Sequence, residues 1–158
     1  MSTVFNLVEL RSGNVADLTL VEAIMGEAFD PRFGEAWTRG QCLGILASPG
    51  VWLTIATLDG EAAGFALSRG VIDEAELLLL ATRPARRRRG VASALLRAVM
   101  SHARAAGAIR LHLEVRESND AIKLYQAAGF SKVGERRNYY RGVSGQTFSA
   151  LTYHRDIA

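Results

Sequence analysis

The sequence predicts one mixed α/β domain, classed as α/β (α+β), that spans residues 1–158. A chain of 158 residues fits a single domain and lets folding bury roughly two-thirds of the surface that the unfolded chain exposes. Hydrophobic residues make up 49% of the chain and charged residues 22%, which is typical of a globular protein. Helical and strand-like segments alternate along the chain without an internal repeat or a linker. These three observations indicate an ordered α/β fold.

Strand-like and helical segments in the first half follow from the spacing of apolar residues and from turn signals. The pattern predicts a strand over residues 5–11, a helix over residues 17–29 and a short helix over residues 38–47. The short helix ends at Ser48-Pro49-Gly50, a strong helix breaker. Three strands are then expected at residues 51–58, 61–69 and 73–82, the first two joined by an Asp59-Gly60 hairpin turn.

The second half continues the alternation. An amphipathic helix is expected over residues 90–106 and stops at Gly107. The next strand, residues 109–116, alternates apolar residues with Arg110, His112, Glu114 and Arg116. A short helix begins at residue 118 or 119 and ends at Gly129, where a left-handed residue is expected. Strands over residues 130–140 and 147–157 complete the pattern.

Charge and cysteine content exclude several classes of protein. The net charge of +3 suits an anionic ligand but is small for a nucleic-acid-binding surface, so we expect no direct nucleic-acid contact. The only cysteine, Cys42, cannot form an intrachain disulfide, and no zinc-type Cys/His spacing surrounds it. We therefore expect a cytoplasmic protein without a metal site. The N-terminal residues lack a targeting pattern and no apolar stretch could span a bilayer, so no membrane association is expected.

An anion site is predicted where an arginine-rich loop leads into a helix. Residues 77–96 read as a buried strand, a loop with four consecutive arginines, and Gly90 at the start of a helix. The first turn of a helix presents unpaired N–H groups and a partial positive charge, which together bind phosphate. A run of arginines is also common on a solvated surface, so this segment alone leaves both interpretations open.

Six short motifs in order resemble the GNAT superfamily of acetyltransferases. They are R-x-x-G-x-A at residues 87–92, L-E-V-R at 113–116, S-N at 118–119, A-I-K-L-Y at 121–125, A-G-F at 128–130, and the buried strand before the loop. D-E-A at residues 73–75, L-E-V-R-x-S-N at 113–119 and R-R-N-Y-Y at 136–140 give a closer resemblance to the ribosomal-protein-alanine N-acetyltransferases within that superfamily.

This resemblance implies a fold and a cofactor. The GNAT fold is a mixed, mostly antiparallel sheet of about seven strands, splayed between the fourth and fifth and flanked by about four helices. The cofactor is acetyl-CoA, without a metal, and its pantetheine arm would pair with the backbone of Leu80, Ala81 and Thr82. Its pyrophosphate would lie on the loop and first helical turn, and Asn119 would touch the cofactor. The residues of that loop and turn are Arg87, Arg88, Arg89, Gly90, Val91, Ala92 and Ser93.

The resemblance also implies catalytic residues. Glu114 would be the general base and Tyr125 would protonate the departing thiolate, since a phenol has a pKa of about 10. Without the motif, Glu114 could be a solvated carboxylate and Tyr125 a core aromatic. His112 lies on the same strand face and is the alternative base. The family usually has one more residue between the asparagine and the tyrosine, so the shortening must be absorbed before the helix.

The predicted acceptor is a primary amine. The closer resemblance favours the N-terminal α-amine of a protein, and Trp37, Tyr139 and Tyr140 are expected to line its groove. An α-amine has a pKa near ~7.8 against about 10.4 for lysine, so a carboxylate base suffices for the former. A small amine or a lysine side chain is the alternative acceptor. The chain itself is expected to be a monomer or a homodimer. Two alternative functions belong to other classes of protein. They are a coenzyme A sensor without turnover and an RNA-binding module that uses residues 83–89.

Overall fold

The computed structural model describes residues 7–158, and within them it contains seven strands and four α-helices. Residues 5 and 6 of the first predicted strand lie outside this range. Three short 3₁₀ segments, Val15–Asp17, Pro31–Phe33 and Pro84–Arg86, accompany the main elements. The main elements are β1 (Val8–Gly13), α1 (Leu18–Ala28), α2 (Arg39–Leu46), β2 (Val51–Leu58), β3 (Glu61–Val71), β4 (Glu74–Thr82), α3 (Val91–Ala105), β5 (Arg110–Arg116), α4 (Ala121–Ala127), β6 (Ser131–Arg141) and β7 (Thr147–Asp156).

The strands form one sheet in the order β1-β2-β3-β4-β5-β7-β6. Neighbouring strands are antiparallel except β4 and β5, which are parallel. The β4–β5 pairing runs only from Glu74–Arg110 to Leu77–Leu113, although β4 continues to Thr82 and β5 to Arg116. The two strands therefore diverge over their last residues. The predicted mixed sheet, splayed between its fourth and fifth strands, is confirmed.

Strand β4 changes the face that it buries at a β-bulge. Leu67 of β3 pairs with Leu79 and Ser68 pairs with Leu77, so Leu78 has no partner on β3. As a result Leu77 packs in the core beneath α3 and α4, whereas Leu79, two residues later, packs in the core beneath α1 and α2. A regular strand would place both residues on one face. The run of four leucines is thus shared between two cores.

Several element ends differ from the sequence prediction by one to three residues, among them the starts of β5 and α4. Ile109 lies before β5 and is 48% exposed, and its backbone N–H donates to the carbonyl of Asp73 in the β3–β4 turn. Helix α4 begins at Ala121, after a turn in which Ser118 has a φ of +66°. Gly129, with a φ of +89°, ends this helix as predicted. None of the helices in residues 7–158 is long and apolar enough to cross a membrane.

Gly64 allows β3 to approach β4 and α3 closely, which makes a stability test possible. A Cβ there would lie 2.5 Å from the carbonyl oxygen of Ala81 and 3.1 Å from Cγ1 of Val91. We expect Gly64→Ala to lower the free energy of unfolding by about 1–3 kcal/mol. Gly26 is the matched control, because it lies inside α1 with no atom within 4 Å of its virtual Cβ.

Gly26→Ala should leave stability unchanged or raise it by about 0.5–1 kcal/mol, since alanine favours helix. Guanidinium denaturation of both variants measures the difference. Equal effects in the two variants would contradict the close approach at Gly64.

Candidate active site

An open cleft of about 1220 Å³ lies where β4 and β5 diverge. Its walls come from the end of β4, the start of α3, the end of β5, the turn before α4, the loop before α2 and the Tyr139–Tyr140 segment of β6. One end of the cleft is lined by backbone and arginines, and the other by aromatic and carboxylate side chains. The cleft thus has two chemically different ends.

The β4 wall of the cleft offers backbone groups. Leu80, Ala81 and Thr82 pair with β3 on one side and line the cleft on the other. The Thr82 hydroxyl oxygen is buried and has no hydrogen-bond partner within the protein. A buried hydroxyl usually has a partner, so this atom is available to a ligand in the cleft. An extended molecule bearing amide groups would fit this wall.

The helix start beside this wall is open to an anion. Gly90 is the N-cap of α3 with a φ of +82°, no side chain caps the helix, and no atom lies within 4 Å of a virtual Cβ. The N–H groups of the first turn of this 15-residue helix are therefore accessible to phosphate. Arg87 is held at the cleft by a bond from its Nη2 to the carbonyl of Ala28 at 3.0 Å. Arg88, Val91, Ala92 and Ser93 also line the cleft, whereas Arg89 does not.

Glu114 lies in the cleft and His112 does not. The Glu114 side chain is 22% exposed, and its Oε1 accepts a bond from Nε of Arg136 at 2.9 Å. The ring of His112 lies instead 3.9 Å from Glu76. Both residues belong to the same face of β5, as the sequence predicts, but only Glu114 reaches the point where β5 leaves β4. Position therefore favours Glu114 over His112 as the base.

Tyr125 faces the cleft from α4 and is only 6% exposed. Its ring packs edge-on against Phe130 with the centroids 6.0 Å apart. Burial raises the pKa of Tyr125 well above the usual value, and the nearby Tyr140 and Glu35 raise it further. The hydroxyl is therefore protonated throughout the neutral range, where it keeps a proton that it can donate. The sequence-based reasoning used the ordinary phenol pKa, which is too low for this environment.

A second bulge brings both predicted tyrosines of β6 to the cleft. Between the pairs Arg136–Ala150 and Tyr140–Phe148, β6 advances four residues and β7 only two. Asn138 lies within this bulge with a φ of +54°, a conformation that asparagine tolerates better than most residues. Consecutive strand residues normally point to opposite faces, but here Tyr139 and Tyr140 both line the cleft. Burial, Glu35 and Glu114 raise the pKa of Tyr140.

Glu35 is the cleft residue that sequence reasoning missed. Its side chain is 11% exposed, and its Oε1 accepts from Nε of the buried Arg116 at 3.0 Å. Its Oε2 accepts from Nδ2 of Asn119 at 2.8 Å. Trp37, two residues further on, lines the cleft as predicted, and its backbone N–H points to Sδ of Met25 at 3.4 Å. Glu35 lies between the helices predicted over residues 17–29 and 38–47, where no periodic pattern indicates which side chains turn inward.

Asn119 lies in the cleft wall, but both ends of its side chain are engaged. The amide nitrogen donates to Glu35, and Oδ1 accepts from the backbone N–H of Ala121 at 2.8 Å. The second bond supports the first turn of α4, which carries Tyr125. A contact between Asn119 and a cofactor stays a prediction, and it would have to share these bonds.

Metal and thiol chemistry find no support in residues 7–158. No group of three or more His, Cys, Asp or Glu side chains there is arranged to hold a metal ion. Cys42 is buried in the core beneath α1, outside the cleft lining, and burial raises the pKa of its thiol. A thiolate nucleophile is therefore not placed in the cleft.

These features define an acetyltransferase-type site, and the chain belongs to the acetyltransferase (GNAT) family, whose model matches residues 19–130. Among curated relatives, it is 41% identical over 91 residues to the [Ribosomal protein bS18]-alanine N-acetyltransferase of Escherichia coli, covering 57% of this chain and 62% of that protein. The match thus spans about three-fifths of that relative.

Two further comparisons cover more of the chain. The chain is 40% identical over 116 residues to the N-alpha-acetyltransferase RimI of Mycobacterium tuberculosis, which covers 70% of each protein. The crystal structure of the ribosomal-protein-S18-alanine N-acetyltransferase from Escherichia coli superimposes with a TM-score of 0.84 and 30% identity. That superposition covers 96% of this chain and 95% of the other. The family and the fold predicted from the motifs are confirmed.

Proposed function

We propose that this chain transfers the acetyl group of acetyl-CoA to a primary amine, the N-terminal α-amine of a protein such as a ribosomal protein. The observation that carries the proposal is the cleft, which joins an anion-binding helix start to a carboxylate and three aromatic side chains. The names of the relatives support the acceptor class. The reaction would take place in the cytoplasm and requires no nucleic acid, with the chain acting as a monomer or a homodimer of one GNAT domain over residues 1–158.

The chain's residues fit acetyl-CoA, the acetyl donor of GNAT enzymes, whose thioester supplies the acetyl group. The open helix start at Gly90 and the arginine side chains Arg87 and Arg88 would hold its pyrophosphate. The backbone of Leu80–Thr82 and the unpaired Thr82 hydroxyl would meet the amides of its pantetheine arm. Arg89 lies outside the cleft lining, so within this loop it is the weakest candidate for a phosphate contact.

The acceptor end supplies the proton transfers. Glu114 would take the proton from the attacking amine, directly or through water, after its bond to Arg136 is exchanged for one to the acceptor. Tyr125, held protonated by its buried position, would donate a proton to the departing thiolate. Trp37, Tyr139 and Tyr140 would wall the groove of the acceptor. The amine attacks the thioester directly, so no covalent enzyme intermediate forms.

Gly90 provides a test of the cofactor site. Acetyl-CoA at millimolar concentration should raise the melting temperature of the unmodified protein, because the ligand binds only the folded state. Gly90→Glu should abolish this rise by placing a carboxylate where the pyrophosphate binds. The matched control is Gly145→Glu, since Gly145 has a φ of +83° against +82° for Gly90, equally open surroundings, and a place outside the cleft lining.

Both variants carry the same backbone strain, so only the loss of cofactor response separates them. The control should keep the full rise in melting temperature. An unchanged response in Gly90→Glu would place the cofactor elsewhere.

Acceptor choice is tested with peptides and amines. A peptide that starts with alanine should be acetylated on its α-amine and release one thiol per acetyl group, because a larger share of an α-amine than of a lysine is neutral near pH 7. The same peptide with a blocked N-terminus and an internal lysine is the control, and a panel of small amines is run in parallel. Mass spectrometry locates the acetyl group. Acetylation only of lysine or only of small amines would contradict the proposed acceptor.

A further inference from the structure

The segment between α1 and α2 crosses the acceptor end of the cleft. We call residues 30–37 the acceptor loop. Asp30, Phe33, Glu35 and Trp37 of this loop line the cleft, and the last three alternate with residues that do not. Besides the contact of Trp37 with Met25, two contacts hold the loop to the rest of the protein. One contact is to the β6–β7 hairpin and the other to the junction between β5 and α4.

The first contact is a close approach of two backbones. Virtual Cβ atoms at Gly34 and Gly142 would clash with the backbones of Arg141 and Arg32 respectively, so only glycine fits at either position. The backbone N–H of Val143 also donates to the carbonyl of Pro31 at 3.3 Å. Close backbone packing and this hydrogen bond together fix this side of the loop against the hairpin.

The second contact is ionic and depends on one side chain. Glu35 accepts from Arg116 at 3.0 Å and from Asn119 at 2.8 Å. The guanidinium of Arg116 also lies 3.8 Å from the centroid of the Phe33 ring, and Phe33 packs edge-on against Phe148 with centroids 5.2 Å apart. The side chains of Glu35 and Arg116 are 11% and 9% exposed. An ion pair with so little exposure is weakly screened by solvent.

We infer that Glu35 is a specificity-determining residue that sets the width of the acceptor end by holding the acceptor loop against β5 and α4. The inference rests on the proposed function and names the part of the acceptor that is selected, the side chain of its first residue. Without the carboxylate, the hairpin contact still holds the loop at Gly34, but the loop loses its hydrogen bonds to Arg116 and Asn119 and keeps only the contact of the Phe33 ring with Arg116 on that side. The acceptor end would then open on the side of β5.

A wider acceptor end should admit a larger first residue. The experiment compares two peptides that differ only in starting with alanine or leucine, and it measures the ratio of kcat/KM for the better to the poorer acceptor. Glu35→Ala should lower this ratio at least about tenfold, the scale at which pockets discriminate small changes in apolar side chains. KM for acetyl-CoA should change less than this ratio, because Asn119 is the only predicted cofactor residue that hydrogen-bonds to Glu35 within residues 7–158.

Two further variants separate selection from a general loss of stability. Glu35→Gln keeps the shape and one acceptor oxygen, so it should fold and still lower the ratio at least about threefold. Glu22→Ala is the control: its carboxylate pairs with Arg39 at 2.7 Å between α1 and α2, outside the cleft lining, so it should keep the wild-type ratio. A structural role of Glu35 alone would lower the melting temperature and leave the ratio unchanged.

The outcomes are distinct from those that test the proposed function. An unchanged ratio in both Glu35 variants, with the unmodified chain active on peptides, would overturn the inference and leave the proposed function standing. Failure of the unmodified chain to acetylate either peptide would overturn the proposed acceptor. The same variants would then be measured on the large and small members of whatever amine class the unmodified chain uses, where an unchanged ratio again overturns the inference.

Discussion

Replacing Glu114 by glutamine is expected to lower kcat about 10²- to 10⁴-fold, the range for loss of a general base, with no change in KM for acetyl-CoA. The reason is positional: Glu114 is a carboxylate in the cleft on the strand that diverges from β4. Glutamine keeps the volume of the side chain and can still accept from Arg136, so the fold should be preserved. The difference in kcat between the wild type and Glu114→Gln should become smaller toward higher pH, where an α-amine with a pKa near ~7.8 loses its proton unaided.

The control for this substitution is Glu135→Gln. Glu135 is an exposed carboxylate on β6 that pairs with Lys132 at 3.9 Å and does not line the cleft, so its variant should keep wild-type rates. Steady-state rates from pH 6 to pH 9 measure both variants. Wild-type turnover in Glu114→Gln, together with a loss in His112→Ala, would assign the base to the imidazole instead.

Tyr125→Phe is expected to lower kcat about 10²- to 10⁴-fold by removing a general acid. Its pH dependence should differ from that of Glu114→Gln. Burial, together with Tyr140 and Glu35, keeps the pKa of Tyr125 far above the neutral range, so the hydroxyl does not change its protonation between pH 6 and pH 9. The ratio of wild-type to variant rates should therefore be constant across that range.

Phenylalanine retains the packing of Tyr125 against Phe130. The loss of kcat in Tyr125→Phe should therefore come from the missing hydroxyl and not from unfolding. Tyr153→Phe is the control, because Tyr153 is also buried but belongs to β7 in the core outside the cleft. Its variant should be as active as the wild type. A rate ratio that changes with pH, or wild-type turnover in Tyr125→Phe, would contradict the assigned role.

The sequence predicts the order of the helices and strands well, because the local spacing of apolar residues indicates each of them. The amphipathic helix α3 and the alternating strand β5 have strong patterns, and glycines mark both ends of the helix. The splay between β4 and β5 follows from family resemblance, since no local pattern indicates where two strands stop pairing. Glu114 on β5 and Tyr125 on α4 could be named because they fall on motifs of the family resemblance.

Features that depend on pairing between distant segments were not predictable. The bulge at Leu78 lies within four consecutive leucines, where no alternation reveals a change of face. The position of Glu35 depends on Arg116 and Asn119, which are more than eighty residues away along the chain. A carboxylate in a turn-rich loop is normally solvated. Glu35 is buried only because the folded chain brings its loop against Arg116 and Asn119.

The bulge around Asn138 has a consequence for association. Strand β6 is the last strand of the sheet, and a flat, regular strand in that position would offer its free backbone groups to another chain. Here β6 carries two more residues than β7 across the bulge, and it bears Lys132, Arg136, Arg137 and Arg141 along its length. Irregular geometry and like charges both oppose edge-to-edge pairing. The insertion that turns the tyrosines to the cleft thereby also protects this edge from pairing with a strand of another chain.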